Sequence, residues 1–446
     1  MFIPHTTEEI ASMLKTIGVE HVEVLFKDIP DKIKTGPLNL PDPLTEMETM
    51  DHLEEIASAN ENTKNLISFL GAGYYNHYVP AIVDSVLRNG SFYSAYTPYQ
   101  PEISQGTLQA IYEYQSLICA LTGMEASNAS HYDGGTAAAE AVIMAYYHFR
   151  QKRSKVLLSR TINPQYKEII RTYASDLPGI QLETFEIQSK ELPQIDKDTA
   201  LIVVQYPDFL GSIIDYAKLV GEAHEQGALL CVITNPTALA LLTPPGEWDA
   251  DIVVGEGQPL GIPMSYGGPG LGYFATSKKL IRKIAGRIAG ETMDANGNRG
   301  YVLTLTAREQ HIRRERATSN ICTNQGLLAL AATVYLSALG KTGFKQVSNL
   351  CYQNAHYAAD QLSKIDGYTI YNDGPFFHEF VISCPHPVVD INQHLLEHNI
   401  IGGYDLTEFL PEVKNPMLLA FTELNDAAQI DFLVRTLLEE HHHDHP

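Results

Sequence analysis

The sequence predicts an α/β fold, a large domain with a mainly parallel sheet followed by a small C-terminal α+β domain. Three observations predict it. Between residues 61 and 338, short apolar runs alternate with helical stretches. Several runs are continuous, as in Leu201-Ile202-Val203-Val204 and Leu229-Leu230-Cys231-Val232-Ile233, and strands covered by helices on both faces read this way. Residues 136–150 form a helix made almost wholly of Ala and large apolar residues, hence a buried one.

Residues 1–60 read as an N-terminal helical arm. Thr6 or Thr7 can cap a helix over 8–17, Pro30, Pro37, Pro41 and Pro43 punctuate an irregular stretch, and a second helix spans 44–59. So small a segment cannot bury its own core and is expected to pack on the main body or on a partner. In the large domain, 61–338, strands are expected at 155–159, 181–187, 200–205, 228–233, 251–255 and 271–276. Helices are expected at 108–120, 136–150, 165–175, 213–225, 278–288 and 325–338. The small domain, 339–446, opens with a helix over 346–362 that places Val347, Leu350, Cys351, Asn354, Tyr357 and Ala358 at helical spacing. Strands at 368–371 and 377–383 follow, then helices at 390–398 and 426–439, the last with Ile430, Leu433, Val434, Leu437 and Leu438 on one face. The His-rich end, 439–446, reads as a frayed tail, and no metal site is expected.

At about 150 residues per domain, 446 residues suggest two or three structural units. The formal charge of −22, from 31 Lys and Arg against 53 Asp and Glu, argues against nucleic acid or an anionic membrane surface as the main partner. A hydrophobic fraction of 44% excludes disorder as the main theme. No wholly apolar run reaches the roughly 18 residues of a membrane span. Cys119, Cys231, Cys322, Cys351 and Cys384 are odd in number and scattered, without CxxC, which fits buried thiols in a reducing compartment. The N-terminus lacks the basic and apolar regions of a signal peptide, so a cytoplasmic enzyme or enzyme subunit is expected.

Segments 69–80 and 92–106 are dense in Tyr, Gly and Pro. Tyr96, Tyr99, Glu102, Ser104 and Gln105 crowd into the loop before helix 108–120. Their hydroxyl, carboxylate and amide groups suit a ligand surface, and equally an ordered turn whose tyrosines cap neighbouring helices. Gly134, Gly135 and Thr136 open the Ala-rich helix, where free N–H groups and the positive dipole end suit a phosphate or carboxylate. Asp133 can serve there as a simple N-cap, the reading favoured from the residues alone, and His131 reads as a packed histidine. The glycines of 255–272 suggest close backbone approach to a ligand or a second subunit, but their spacing fits neither a Walker loop nor a dinucleotide fingerprint. Segment 313–324 sets Thr318, Ser319, Asn320, Thr323 and Asn324 ahead of an apolar helix. Its arginines, with Lys278, Lys279, Arg282, Lys283 and Arg287, form basic stretches that read as a solvated helix face or, more sharply, as a docking patch for an acidic partner.

Residues 96–106 (YTPYQPEISQG), 132–140 and 316–324, within which ATSNICT falls, closely resemble the glycine decarboxylase P protein of the glycine cleavage system. The likeness is nearest to its N-terminal-type half (alpha, subunit 1) and runs nearly full length. It implies the pyridoxal-phosphate (PLP)-dependent transferase fold of the aspartate aminotransferase type. That fold needs a lysine to hold the cofactor and an acid to hold its pyridinium nitrogen protonated. The lysine position here reads Gln258, and the strand expected to carry the acid ends at Thr234-Asn235-Pro236 without one. The resemblance therefore implies a heteromer. PLP is expected on a sister subunit (subunit 2, beta) and not covalently on this chain. Glycine is then decarboxylated at a shared site, and its aminomethyl group passes to the lipoyl arm of H protein. Tyr96 and Glu102 are expected to position groups or transfer protons there, with Tyr99, Ser104, Gln105, Ser319, Asn320 and Asn324 contributing to the interface. Two other readings are a non-catalytic subunit that scaffolds the sister and docks H protein, and a self-sufficient PLP decarboxylase using Lys278.

Overall fold

A computed structural model of the protein describes residues 4–36, 38–94, 97–186 and 193–443. By packing, the chain forms two units, Met1–Glu61 and Asn62–Pro446. In the first, α1 (Thr7–Ile17) begins at a capping box in which the Thr6 hydroxyl accepts from Glu9 N at 3.2 Å and the Glu9 carboxylate accepts from Thr6 N at 2.7 Å. The same device, Thr45 with Glu48, opens α2 (Glu46–Ser58). Neither helix buries a residue, and Met13, Ile17, Met47, Met50, Leu53 and Ile56 stay exposed.

The second unit begins with β1 (Ile67–Ser68), α3 (Ala81–Leu87) and α4 (Gln105–Thr122). It continues through β2 (Ala126–Ser127), α5 (Gly134–His148), β3 (Lys155–Ser159), α6 (Pro164–Ala174), β4 (Gln181–Phe185) and β5 (Thr199–Tyr206). Next come α7 (Ala217–Glu225), β6 (Leu229–Thr234), β7 (Ile252–Glu256) and β8 (Gly272–Thr276). The seven-stranded sheet runs β2-β8-β7-β6-β5-β3-β4, parallel from β4 through to β7, with β8 antiparallel to both its neighbours. The continuous apolar runs have the expected cause. Ile202, Val204, Leu230 and Val232 pack on one face with Tyr114 and Ile118 of α4 and Leu219 of α7. Leu201, Val203, Cys231 and Ile233 pack on the other with Ala138, Val142 and Ile170 of α5 and α6.

Two expectations change. The helix expected over 278–288 does not form: a single 3₁₀ turn, Lys278–Leu280, is followed by the hairpin of β9 (Ile288–Met293) and β10 (Arg299–Thr304). Gly286 takes φ +78, and Gln115 of α4 clasps Ala289 through both its backbone N–H and carbonyl at 2.9 Å, so tertiary hydrogen bonds set this segment against local propensity. The helix expected from 213 starts only at Ala217, because Ile213 N is held by the Pro375 carbonyl at 2.8 Å and Asp215 caps Ala217 N at 2.9 Å.

After α8 (Gln310–Arg313) comes α9 (Gly326–Leu362), which joins two expected helices across a break at Gly340 (φ 59, ψ −177). Among the described residues, α9 is the one helix long and apolar enough to cross a membrane by length and composition, but Ala329, Ala332 and Tyr335 lie in the core. The rest is β11 (Thr369–Ile370), β12 (Glu379–Ser383), α10 (Val388–Glu397), β13 (Ile400–Ile401), β14 (Tyr404–Asp405), β15 (Pro416–Ala420) and α11 (Ala427–His443). Here β11-β12-β15-β14 form an antiparallel sheet, β13 pairs with β1, and α11 runs into the stretch expected to fray.

Ile202 is fully buried between the sheet and its helices. Ile202→Ala is expected to destabilise the protein by about 2–5 kcal/mol, read as a lower urea midpoint. The exposed Lys218→Ala should stay within about 0.5 kcal/mol of the parent.

Candidate functional site

The carboxyl ends of β5, β6 and β7 face the start of α5, where open α/β sheets bind ligands. Asp133 caps α5, its carboxylate accepting from Thr136 N at 2.7 Å. The Gly134 N–H, the next donor at this helix start, is taken by Glu256 Oε2 at 2.9 Å. Glu256 Oε1 accepts two more backbone N–H groups, from Leu271 at 2.8 Å and Gln258 at 3.0 Å. The anion at this helix start is thus the chain's own carboxylate, only 6% exposed. Burial pushes the Glu256 carboxyl up to about 7, against the lowering effect of those N–H bonds. Burial and the same carboxylate raise the phenol of Tyr74. The seat is tight: a Cβ at Gly134 would lie 2.2 Å from Tyr166 Oη and 2.7 Å from Glu256 N.

Gln258 is 1% exposed and fully engaged. Its Oε1 accepts from Tyr75 N at 3.0 Å, and its Nε2 donates to the carbonyls of Tyr75 at 2.9 Å and Ile262 at 2.8 Å. Tyr75 Oη donates to Glu379 Oε2 at 2.7 Å, and Ala72 N donates to Glu379 Oε1 at 2.8 Å. Burial lifts the Glu379 carboxyl to about 7. At the end of β6, Asn235 Nδ2 meets His378 Nε2 at 2.8 Å, and burial, reinforced by His77, keeps His378 neutral with its pKa down near 3. A cavity of about 40 Å³ remains between Tyr166, Gln205, Asn235 and Glu256, room for a few water molecules.

The other segments nominated by the sequence lie elsewhere. Tyr96 falls outside the described residues. Tyr99 Oη accepts from Arg287 at 2.8 Å, and its ring packs edge-on to His311. Gln105 turns to β10, donating to the Tyr301 carbonyl at 2.9 Å and accepting from Tyr301 N at 2.8 Å. Glu102 is exposed. Ser319 donates to Glu140 at 2.7 Å, Asn324 donates to the Ala129 carbonyl at 3.2 Å, and Asn320 is exposed. An open groove of about 600 Å³ brings two nominated segments together, with Thr97, Ser104 and Thr107 on one side and Thr323, Asn324 and Gln325 on the other. Sequence reasoning passed over Glu256, Tyr75, His378 and Glu379. The one local signal for Glu256 was an acid closing a buried strand between two glycines.

The family model described as "Glycine cleavage system P-protein" matches residues 1–437. The chain belongs to the glycine cleavage system P-protein family. A probable glycine dehydrogenase (decarboxylating) subunit 1 of Thermomicrobium roseum is 52% identical over 445 residues, covering 98% of this chain and 99% of the relative. The crystal structure of a glycine decarboxylase (P-protein) of the glycine cleavage system, in inhibitor-bound form, superposes with a TM-score of 0.90 at 39% identity, over 98% of this chain and 99% of that one. A C-DES mutant with glycine covalently linked to its PLP cofactor superposes at TM-score 0.59 and 14% identity, over 84% of this chain and 97% of that one. The fold of this P-protein family member is therefore that of the PLP-dependent transferases of the aspartate aminotransferase type, and PLP is relevant to the family.

The residues present do not fit PLP. Gln258 cannot form a Schiff base, no carboxylate stands in place of Asn235, Glu256 fills the anion seat, and the 40 Å³ cavity is far below the roughly 300–1,000 Å³ of ligand pockets.

Glu140, buried in α5, is raised to about 7 by burial against the lowering effect of Ser319. In the unfolded chain it titrates near the ordinary 4.5, so folding takes up a proton between these values and stability falls as pH rises through that window. The contribution is complete below the lower value. Glu140→Gln, which keeps the neutral form at every pH, is expected to gain melting temperature relative to the parent at pH 8 compared with pH 5, a difference read by thermal melts at both.

Proposed function

We propose that this chain is the subunit-1-type component of a glycine dehydrogenase (decarboxylating, aminomethyl-transferring) of the glycine cleavage system. It works in the cytoplasm with a PLP-carrying sister subunit and lipoylated H protein, and does not itself hold PLP. The observation that carries this reading is the Glu256 carboxylate seated on the N–H groups of Gly134, Gln258 and Leu271, so that the Gly134 N–H at the start of α5 is taken from any external anion. Gln258, tied on three sides to backbone, supports it. In this reading the chain's own work is at an interface. The groove between 97–107 and 323–330 faces the sister, and the loop 96–105 supplies Tyr96 and Glu102 to the shared site, where a carboxylate freed of solvent can hold or move a proton.

Borohydride reduction of PLP-treated protein, first this chain alone and then with the sister, tests the cofactor assignment by peptide mass spectrometry. Label is expected only on the sister; label on Lys278 or another single lysine of this chain would overturn it. Glu102→Ala is expected to lower turnover of the assembled enzyme by about 100-fold with normal PLP content and intact association. Near-parental turnover would leave this chain a scaffold that docks H protein.

A further inference from the structure

Beside His378, three groups that ligate metals come together. His77 from segment 69–80, Cys351 from α9 and Glu423 from the turn between β15 and α11 hold their ligand atoms within 4.8 Å of one another. Glu423 Oε2 is the common point, 2.7 Å from His77 Nδ1 and accepting from the Cys351 thiol at 3.5 Å. His77 and Cys351 are buried, and Glu423 is half-buried. The backbone next to each ligand is tied to a neighbouring one. Tyr78 N donates to Glu423 Oε1 at 2.7 Å, Thr422 Oγ1 donates to the Asn76 carbonyl at 2.7 Å, and Asn354 Nδ2, one turn on from Cys351, donates to the Thr422 carbonyl at 2.9 Å. Such outer contacts hold ligands in place before an ion arrives.

The spacing suits a small tetrahedral ion. Zinc bonds of about 2.3 Å to sulfur and about 2.1 Å to oxygen put those two atoms about 3.6 Å apart. Here Sγ and Oε2 are 3.5 Å apart. Nitrogen and oxygen need about 3.4 Å, so the His77 ring has to draw back by about 0.7 Å. The ion enters in exchange for protons. The thiol proton leaves to solvent, and the ring proton that Nδ1 presents to the carboxylate moves to Nε2. His77 Nε2 has no hydrogen-bond partner among the described residues, so the new tautomer breaks no bond there.

The charges balance too. Burial and the adjacent Glu423 hold the Cys351 thiol well above its usual range, hence protonated. Among the described residues His77 is the one ion-pair partner of Glu423, and no Lys or Arg reaches it. A thiolate and a carboxylate together neutralise a dication. One sulfur, one nitrogen and one oxygen donor favour zinc over magnesium or calcium.

We propose that His77, Cys351 and Glu423 form a zinc site that pins segment 69–80 to α9 and to the turn after β15, its fourth position open to solvent at the edge of Glu423. The site is independent of the assignment of PLP.

Zinc alone is the probe, titrated calorimetrically into the chelator-treated full chain. About 100 µM zinc is expected to raise the thermal midpoint by about 2 °C or more. Cys351→Ser and Glu423→Gln should each weaken zinc at this site by about 100-fold. Cobalt(II) in place of zinc should give a thiolate-to-metal charge-transfer band that Cys351→Ser removes. Cys322→Ser, which deletes the exposed thiol, should keep that band. The histidines of 441–445 carry no thiol, so zinc held there gives no such band and survives both substitutions at the cluster. A parent without the band, a band lost with Cys322→Ser, or zinc affinity equal in the parent and both cluster variants would overturn the proposal and leave a hydrogen-bonded trio. If Cys351→Ser fails to fold, the cobalt spectra of the parent and Cys322→Ser, with the zinc affinity of Glu423→Gln, decide the matter.

Discussion

The Glu256 carboxylate ties three pieces of backbone to one buried point: the start of α5 at Gly134, the turn after β7 at Gln258, and the approach to β8 at Leu271. Backbone N–H groups at a helix start cannot be substituted away, whatever the side chains around them become. In a fold that gathers such groups at the ends of a parallel sheet, something negative or strongly accepting must meet them. Here the chain provides it from its own strand. The geometry that would cradle an external anion becomes a fixed internal link, and burial near a second acid, Asp133, is the electrostatic consequence.

The same logic runs outward from Gln258. Its amide closes on both backbone groups of Tyr75, and Tyr75 in turn reaches Glu379 at the head of β12. Asn235 meets His378 next to it. The antiparallel sheet is therefore joined to the ends of the parallel sheet by these satisfied polar contacts. A buried network is stabilising only when its members are paired, and each of these residues has its partner on a different element. Arg308, half-buried, is the contrasting case: its Nε and Nη2 are closed off from solvent without a hydrogen-bond partner among the described residues.

Much of this was legible. The runs at 200–205 and 228–233 announce strands because both faces of β5 and β6 are covered, and the Ala-rich helix announces its burial because α5 and the sheet pack at close range. That Gln stands at 258 and Asn at 235 is read directly from the sequence. The failures share one cause. Helix 278–288 was drawn from local composition, but Gln115, far back in the chain, holds Ala289 in a strand. Glu256 looked like one more residue in a glycine-rich turn, and its meaning lies in Gly134, 122 positions away. Tyr99 and Gln105, whose loop the residues left open between a ligand surface and an ordered turn, hydrogen-bond to Arg287 and Tyr301.

By itself, the sequence determined the periodicity of the large domain and the capped helices of the arm, because these depend on neighbours within a few positions. Only the tertiary structure decided which group fills the anion seat and which nominated side chains are already engaged. Those outcomes are fixed by hydrogen bonds between segments a hundred or more residues apart, and their geometry exists only after the sheet and its helices have closed around them.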